Sequence, residues 1–218
     1  MFGWLFRKPK FYRYPDTLGF QQDVVDQEIA MAVRTRLKHG DIVLIVCHFP
    51  ATFTRVQNQM DSWRISYEIP TERLHGNDLV DQNESQGKVL LTLSQMLVSE
   101  LERQEVETEK RQLSILVIEK NPLGEFDEDI EVFARSAPFP AKLGYYLSFE
   151  QPLMDFCFGE HERRLLKNWA AISESVFSSA LASRRIDSKI RSSFSKLEDP
   201  KQAESIEEWL KLNCETTE

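Results

Sequence analysis

The sequence predicts a mostly parallel α/β layer with helices on both faces, followed by an α-helical extension. Three observations carry this. Apolar runs at 42–46, 89–93 and 113–118 read as strands, the first too short for a helix and buried on both faces. Segments with three-to-four apolar spacing separate them, the alternation that a doubly wound sheet requires. From Glu162 onward the periodicity is helical only.

In chain order, Val25, Ile29, Val33 and Leu37 place one helix, and Gly40 stops it. Ile42, Val43, Leu44, Ile45 and Val46 form the first buried strand. Phe53, Val56, Met60 and Trp63 then share a helix face, and 65–69 alternates as a strand does. The polar stretch 71–87 reads as loop or short helix. The strand at 89–93 leads to a helix start at 96–101 and a charged continuation over 102–110. After the strand at 113–118, Phe126, Ile130 and Phe133 mark another helix. A strand over 144–149 precedes a short apolar helix carrying Leu153, Met154, Phe156 and Phe158. Val176, Ala180, Ile190 and Phe194 fall on one stripe of a long helix, and Asp199-Pro200 separates it from a last helix ending near Leu212. The expected organisation is a basic, aromatic N-terminal tail (1–16), an α/β domain (17–160) and a helical extension (161–218).

Composition narrows the function classes. The chain has 218 residues, 41% hydrophobic and 28% charged, with a net charge of −8. No run approaches the roughly 18 apolar residues of a spanning helix. The first six residues are too short for a signal-peptide core, so the reading is a cytoplasmic chain. Cys47, Cys157 and Cys214 are odd in number and far apart, which supports neither a disulfide framework nor a zinc site. An acidic body excludes a nucleic-acid surface, which needs clustered cations. The positive charge gathers instead at the N-terminus. There Trp4, Phe6, Arg7, Lys8 and Lys10 are candidates for a weak contact with an anionic membrane surface, against the alternative of a tail packed on the body.

The eight glycines form neither a phosphate loop nor a dinucleotide fingerprint: the one Gly-Lys pair, Gly87-Lys88, is followed by Val89. The four histidines show no metal-ligand spacing. Cys47-His48 follows the first strand and is a candidate ligand crest, since open α/β sheets bind ligands beyond the carboxyl ends of their strands. Adjacent residues on a strand end point opposite ways, however. A buried thiol and a loop-anchoring imidazole are the competing assignment. Glu119 closes an apolar strand as a Walker-B acid does, or is a core strand meeting solvent. The acids Glu125, Asp127, Glu128, Asp129 and Glu131 are expected to fan around a solvated helix face, open to a basic partner.

The segment Gly144-Tyr145-Tyr146-Leu147-Ser148-Phe149-Glu150-Gln151-Pro152-Leu153-Met154-Asp155-Phe156-Cys157-Phe158-Gly159 resembles the stretch that closes the second nucleotide-binding domain of SecA, the preprotein translocase motor. Ile172-Ser173-Glu174-Ser175-Val176 through Ile186 is similar to the start of that family's long scaffold helix. Weaker likenesses cover the strands near 40–46 and 89–96 and the spacing from Val117 to Ser136. The resemblance implies a RecA-like, P-loop-NTPase-like sheet, and a scaffold helix that leaves the domain.

The departures are chemical. The family's first motor domain, which carries the phosphate loop, has no counterpart. Leu97-Val98-Ser99-Glu100-Leu101 stands where the family has a glycine-arginine motif, and only Arg135 remains of its later arginines. Residues 119–131 carry six acids against Lys120, which would repel a nucleotide where the family supplies arginines. The implied function is a catalytically inactive SecA-like domain, without cofactor, that binds a protein partner or regulates one, the translocation machinery being the candidate. The alternative is a small enzyme or ligand-binding domain that uses Cys47 and His48. A third is a structural subunit associating through its helical tail.

Overall fold

The computed structural model describes residues 11–79, 87–98, 111–170 and 176–214. Its strands are β1 (Phe11–Arg13), β2 (Thr17–Gly19), β3 (Ile42–Cys47), β4 (Leu74–His75), β5 (Lys88–Leu93), β6 (Leu97–Val98), β7 (Leu113–Val117), β8 (Ala141–Ser148) and β9 (Phe177–Ser178). Its helices are α1 (Gln22–Lys38), α2 (Pro50–Ser62), α3 (Gly124–Ser136), α4 (Leu153–Cys157), α5 (Glu160–Ala170), α6 (Ala180–Phe194) and α7 (Ile206–Cys214). The main sheet runs β5-β3-β7-β8-β2-β9, with β1 also on β8, and every pairing in it is parallel except β2 with β9.

β3 lies inside the sheet, and all six of its residues are buried. Because successive side chains point to opposite faces, Ile42, Leu44 and Val46 enter one core with residues of α3, α4, α6 and α7. Val43, Ile45 and Cys47 enter the other, beneath α1 and α2. α1 ends where the sequence places its stop: Gly40 has φ +78°, a left-handed conformation that closes the last turn, and its N–H reaches the Leu37 carbonyl at 3.0 Å.

Several expectations are corrected. Residues 11–13 do not belong to a tail: they pair with the first half of β8 as β1, and β2 takes its second half. A parallel neighbour satisfies the backbone of a strand end that sequence pattern alone cannot see. The stretch 65–69 is not a strand. Only Glu68 bridges Leu90, covering the edge of β5. Of the helix start expected at 96–101, residues 99–101 lie outside the described residues; over 94–98 there is one short 3₁₀ turn, Ser94–Met96, and then β6 paired with β4.

The helix expected to leave the domain folds back onto it. α6 begins at Ala180 rather than before Val176, and Ala182, Ile186, Ile190 and Phe194 are buried in the α3-side core. Trp209 of α7 meets Phe194 edge-on at 5.4 Å. The Ala51 N–H at the head of α2 donates to the Glu204 carbonyl at 2.9 Å. Of the expected stripe, Ile190 and Phe194 are buried, whereas Val176 precedes the helix and packs on the other core and Ala180 is exposed; Ala182 and Ile186 complete the buried stripe. Its destination is the body, because burying it there removes large apolar side chains from water.

Among the described residues, no helix is long and apolar enough to cross a membrane. Trp4, Phe6, Arg7, Lys8 and Lys10, and the charged stretch 102–110, lie outside the described residues.

Candidate functional site

The carboxyl ends of β3, β5 and β7 deliver His48, Ser94, Glu119 and Lys120 to one edge of the sheet. Glu119 sits at the head of α2. Its Oε1 accepts the backbone N–H groups of His48 and Phe49 at 2.9 and 3.0 Å, and its Oε2 accepts the Thr52 hydroxyl at 2.7 Å. A helix N-terminus presents unpaired N–H groups and the positive end of its dipole, which is where an anion binds. Here the chain supplies its own anion. Burial still raises the Glu119 pKa above the ordinary 4.5, partly offset by nearby His48 and these hydrogen bonds.

His48 leaves the strand on the face opposite Cys47. Its Nδ1 lies 2.9 Å from the Ser94 hydroxyl and its Nε2 lies 2.9 Å from Oδ1 of Asp127. Cys47 is fully buried among aliphatic side chains beneath α1 and α2, and burial pushes its thiol well above the ordinary 9.0. The two candidate crest residues are therefore not brought together. The buried-thiol and anchoring-imidazole assignment describes both.

Asp127 turns inward, contrary to the expectation that the acids of α3 all fan into solvent. Its Oδ2 lies 3.3 Å from Nζ of Lys120, which is itself buried and also pairs with Asp187 of α6 at 2.8 Å. Burial alone would raise the Asp127 pKa, but Lys120 and His48 together hold it below the usual carboxylate value. Burial opposes the Lys120 charge, yet Asp127 and Asp16 keep its pKa above the ordinary 10.5. The ammonium also lies 3.6 Å from the centroid of the Tyr145 ring. Arg13, from β1, reaches Asp187 and Asp16, each at 3.2 Å, and approaches Glu131 at 3.6 Å. Arg135 pairs with Glu131 four residues back and stacks over the Phe11 ring at 4.3 Å.

This network closes a cleft of about 450 Å³ between α3 and α6. Its lining includes the polar Arg13, Lys120 and Tyr145 and the apolar Leu123, Phe194 and Leu197. Among the described residues, no group of His, Cys, Asp or Glu is arranged to hold a metal ion. Sequence reasoning missed Asp16, Lys120, Tyr145 and Asp187 as a set. A buried lysine one residue past a strand looks like an ordinary solvated charge until its partners are placed around it.

No protein-family model matches the chain, and no curated protein matches it. Among solved structures it is similar to the C-terminal domain of a possible DNA helicase from Lactobacillus plantarum WCFS1, with a TM-score of 0.34 and 9% identity over 65% of this chain and 76% of that one. What stands is a mostly parallel α/β sheet with helices.

Proposed function

We propose that this chain is a non-catalytic α/β module that acts by binding protein, either as a partner or as a regulator. The observation that carries the non-catalytic part is the Glu119 carboxylate seated on the N–H groups of His48 and Phe49. A phosphate approaching the head of α2 meets an anion already in place, and Asp127 stands on the far side of His48. Repulsion between like charges at close range costs several kcal/mol. The absence of a glycine-rich loop in the sequence agrees with this.

Binding is the function left to a fold without that chemistry. Leu165 and Leu181 stay 52% and 78% exposed, on α5 and α6, where a partner can cover them. The SecA-like segment 144–159 supports naming a RecA-type ancestry and the translocation machinery as the first partner to seek.

The test has two parts. Titration of a fluorescent ATP analogue with magnesium into the full chain is expected to give no saturable signal, and micromolar binding displaced by ATP would overturn the non-catalytic reading. Affinity purification of the tagged chain from its native cells at low ionic strength is expected to enrich a protein partner. Recovery of the translocation motor or its channel supports the secretion link, and a clean preparation overturns the binding role.

A further inference from the structure

Among the described residues that line the α3–α6 cleft, the buried Tyr145 hydroxyl has no hydrogen-bond partner, and Nε of Arg13 has only the Glu131 carboxylate at 3.6 Å. Leaving such a group unsatisfied costs about 1–3 kcal/mol, and native structures rarely do so. Tyr145 is 0% exposed and lines the cleft. Its volume of about 450 Å³ is in the range of small-ligand sites.

The charge around the cleft selects the ligand. Lys120 and Arg13 are already committed to Asp127, Asp187 and Asp16. Glu125, Glu128 and Glu131 of α3 line the same cleft, where the cation on the facing helix is Arg191, 3.8 Å from Glu128 and exposed. An anionic ligand would meet that row of carboxylates. A cation would be drawn in by them and would find the Tyr145 oxygen as an acceptor. The apolar part of the lining, with Leu123, Phe194 and Leu197, suits methylene groups.

We propose that the cleft between α3 and α6 binds an aliphatic cation: a primary ammonium on an alkyl chain, seated on the Tyr145 hydroxyl and the α3 carboxylates. This goes beyond the module reading and stands whether or not a nucleotide binds elsewhere. The same chemistry has two sources, a free alkyl diamine and the lysine side chain of a partner.

Calorimetric titration of the full chain separates them, using 1,5-diaminopentane, a capped Gly-Lys-Gly peptide, and glutarate as an anion of matched length. The expected result is saturable millimolar binding of one or both cations and none of glutarate. Tighter binding of the diamine assigns a free metabolite, and tighter binding of the peptide assigns a partner's lysine. Tyr145→Phe removes one hydrogen bond and is expected to weaken binding by about fivefold, while its thermal midpoint stays equal or rises, because an unsatisfied buried hydroxyl is gone. Glu125→Gln and Glu128→Gln, both at exposed positions, keep the test informative if Tyr145→Phe folds poorly, since each is expected to weaken the cation alone. Absence of cation binding, equal binding by all variants, or preference for glutarate would overturn the proposal.

Discussion

Lys120 holds its ammonium 3.6 Å from the centre of the Tyr145 ring, and neither side chain reaches solvent. One lysine thus joins β7 to α3 through Asp127, to α6 through Asp187, and to β8 through Tyr145. It adds a polar tie to the apolar burial of Ile186, Ile190 and Phe194 that holds the helical C-terminus on the domain.

Replacing this lysine tests that tie. Lys120→Met keeps the chain length and removes the charge, leaving Asp127 with His48 and Asp187 with Arg13. Breaking a buried pair costs about 3–5 kcal/mol, and those remaining partners place the loss at the lower end. Urea unfolding measures it. An unchanged midpoint would mean that the network adds nothing.

The same residue sets an alkaline limit. The folded pKa of Lys120 lies above the ordinary 10.5, so its contribution is fully present below 10.5 and is lost as pH rises through the folded value. Tyr145, pushed well above 10.0 chiefly by burial, acts in the same direction. Subtracting the pH profile of Lys120→Met from that of the native chain isolates the lysine. A difference that stays flat from neutral pH to above 10.5 would refute its role.

Glu119→Ala would expose the head of α2. The N–H groups of His48 and Phe49 lose their acceptor, at about 1–3 kcal/mol for each group left buried and unpaired. Glu119→Gln keeps one oxygen and is expected to lose less. Hydrogen exchange at the amides of His48 and Phe49 should accelerate in that order.

Thiol chemistry separates a buried core cysteine from a catalytic one. Cys47 is pushed well above its ordinary value and Cys157 up to about 11, both by burial, whereas Cys214 on α7 is partly exposed. Alkylation near neutral pH is expected to label Cys214 first and Cys47 only after unfolding. Fast labelling of native Cys47 would restore the alternative enzyme reading.

Two glycines give opposite signs. Gly40→Ala forces a side chain into φ +78° and is expected to cost about 1–2 kcal/mol, with open space around it. Gly124→Ala, at the start of α3 with no atom within 4 Å of the new Cβ, is expected to stabilise by about 0.4–1 kcal/mol. Thermal midpoints of the two variants should fall on either side of the native value.

The central strands and the helices around them were legible because burial on both faces leaves an unbroken apolar run, as in β3, and burial on one face leaves a three-to-four stripe, as in α1 and α3. β1 was not legible: Phe11, Tyr12 and Arg13 carry no alternation, and their strand exists only because β8 offers them a backbone. The expected strand at 65–69 failed for the converse reason. It has alternation but only a single bridge.

The site was still less legible. Its charges come from positions as distant as Arg13 and Asp187, 174 residues apart, and single charges scattered along a chain leave no period to read. Glu119 was marked as an acid ending a strand, but not as the internal anion of α2. By itself the sequence determined the central strands β3, β5 and β7, the helices that cover them, and the lack of a phosphate loop, since each of these is a local pattern of burial or spacing. Only the tertiary structure decided that the tail helices fold back and that Asp16, Lys120, Asp127 and Asp187 meet. Long-range charge pairing depends on which surfaces the apolar stripes bring together, and no stripe states its partner.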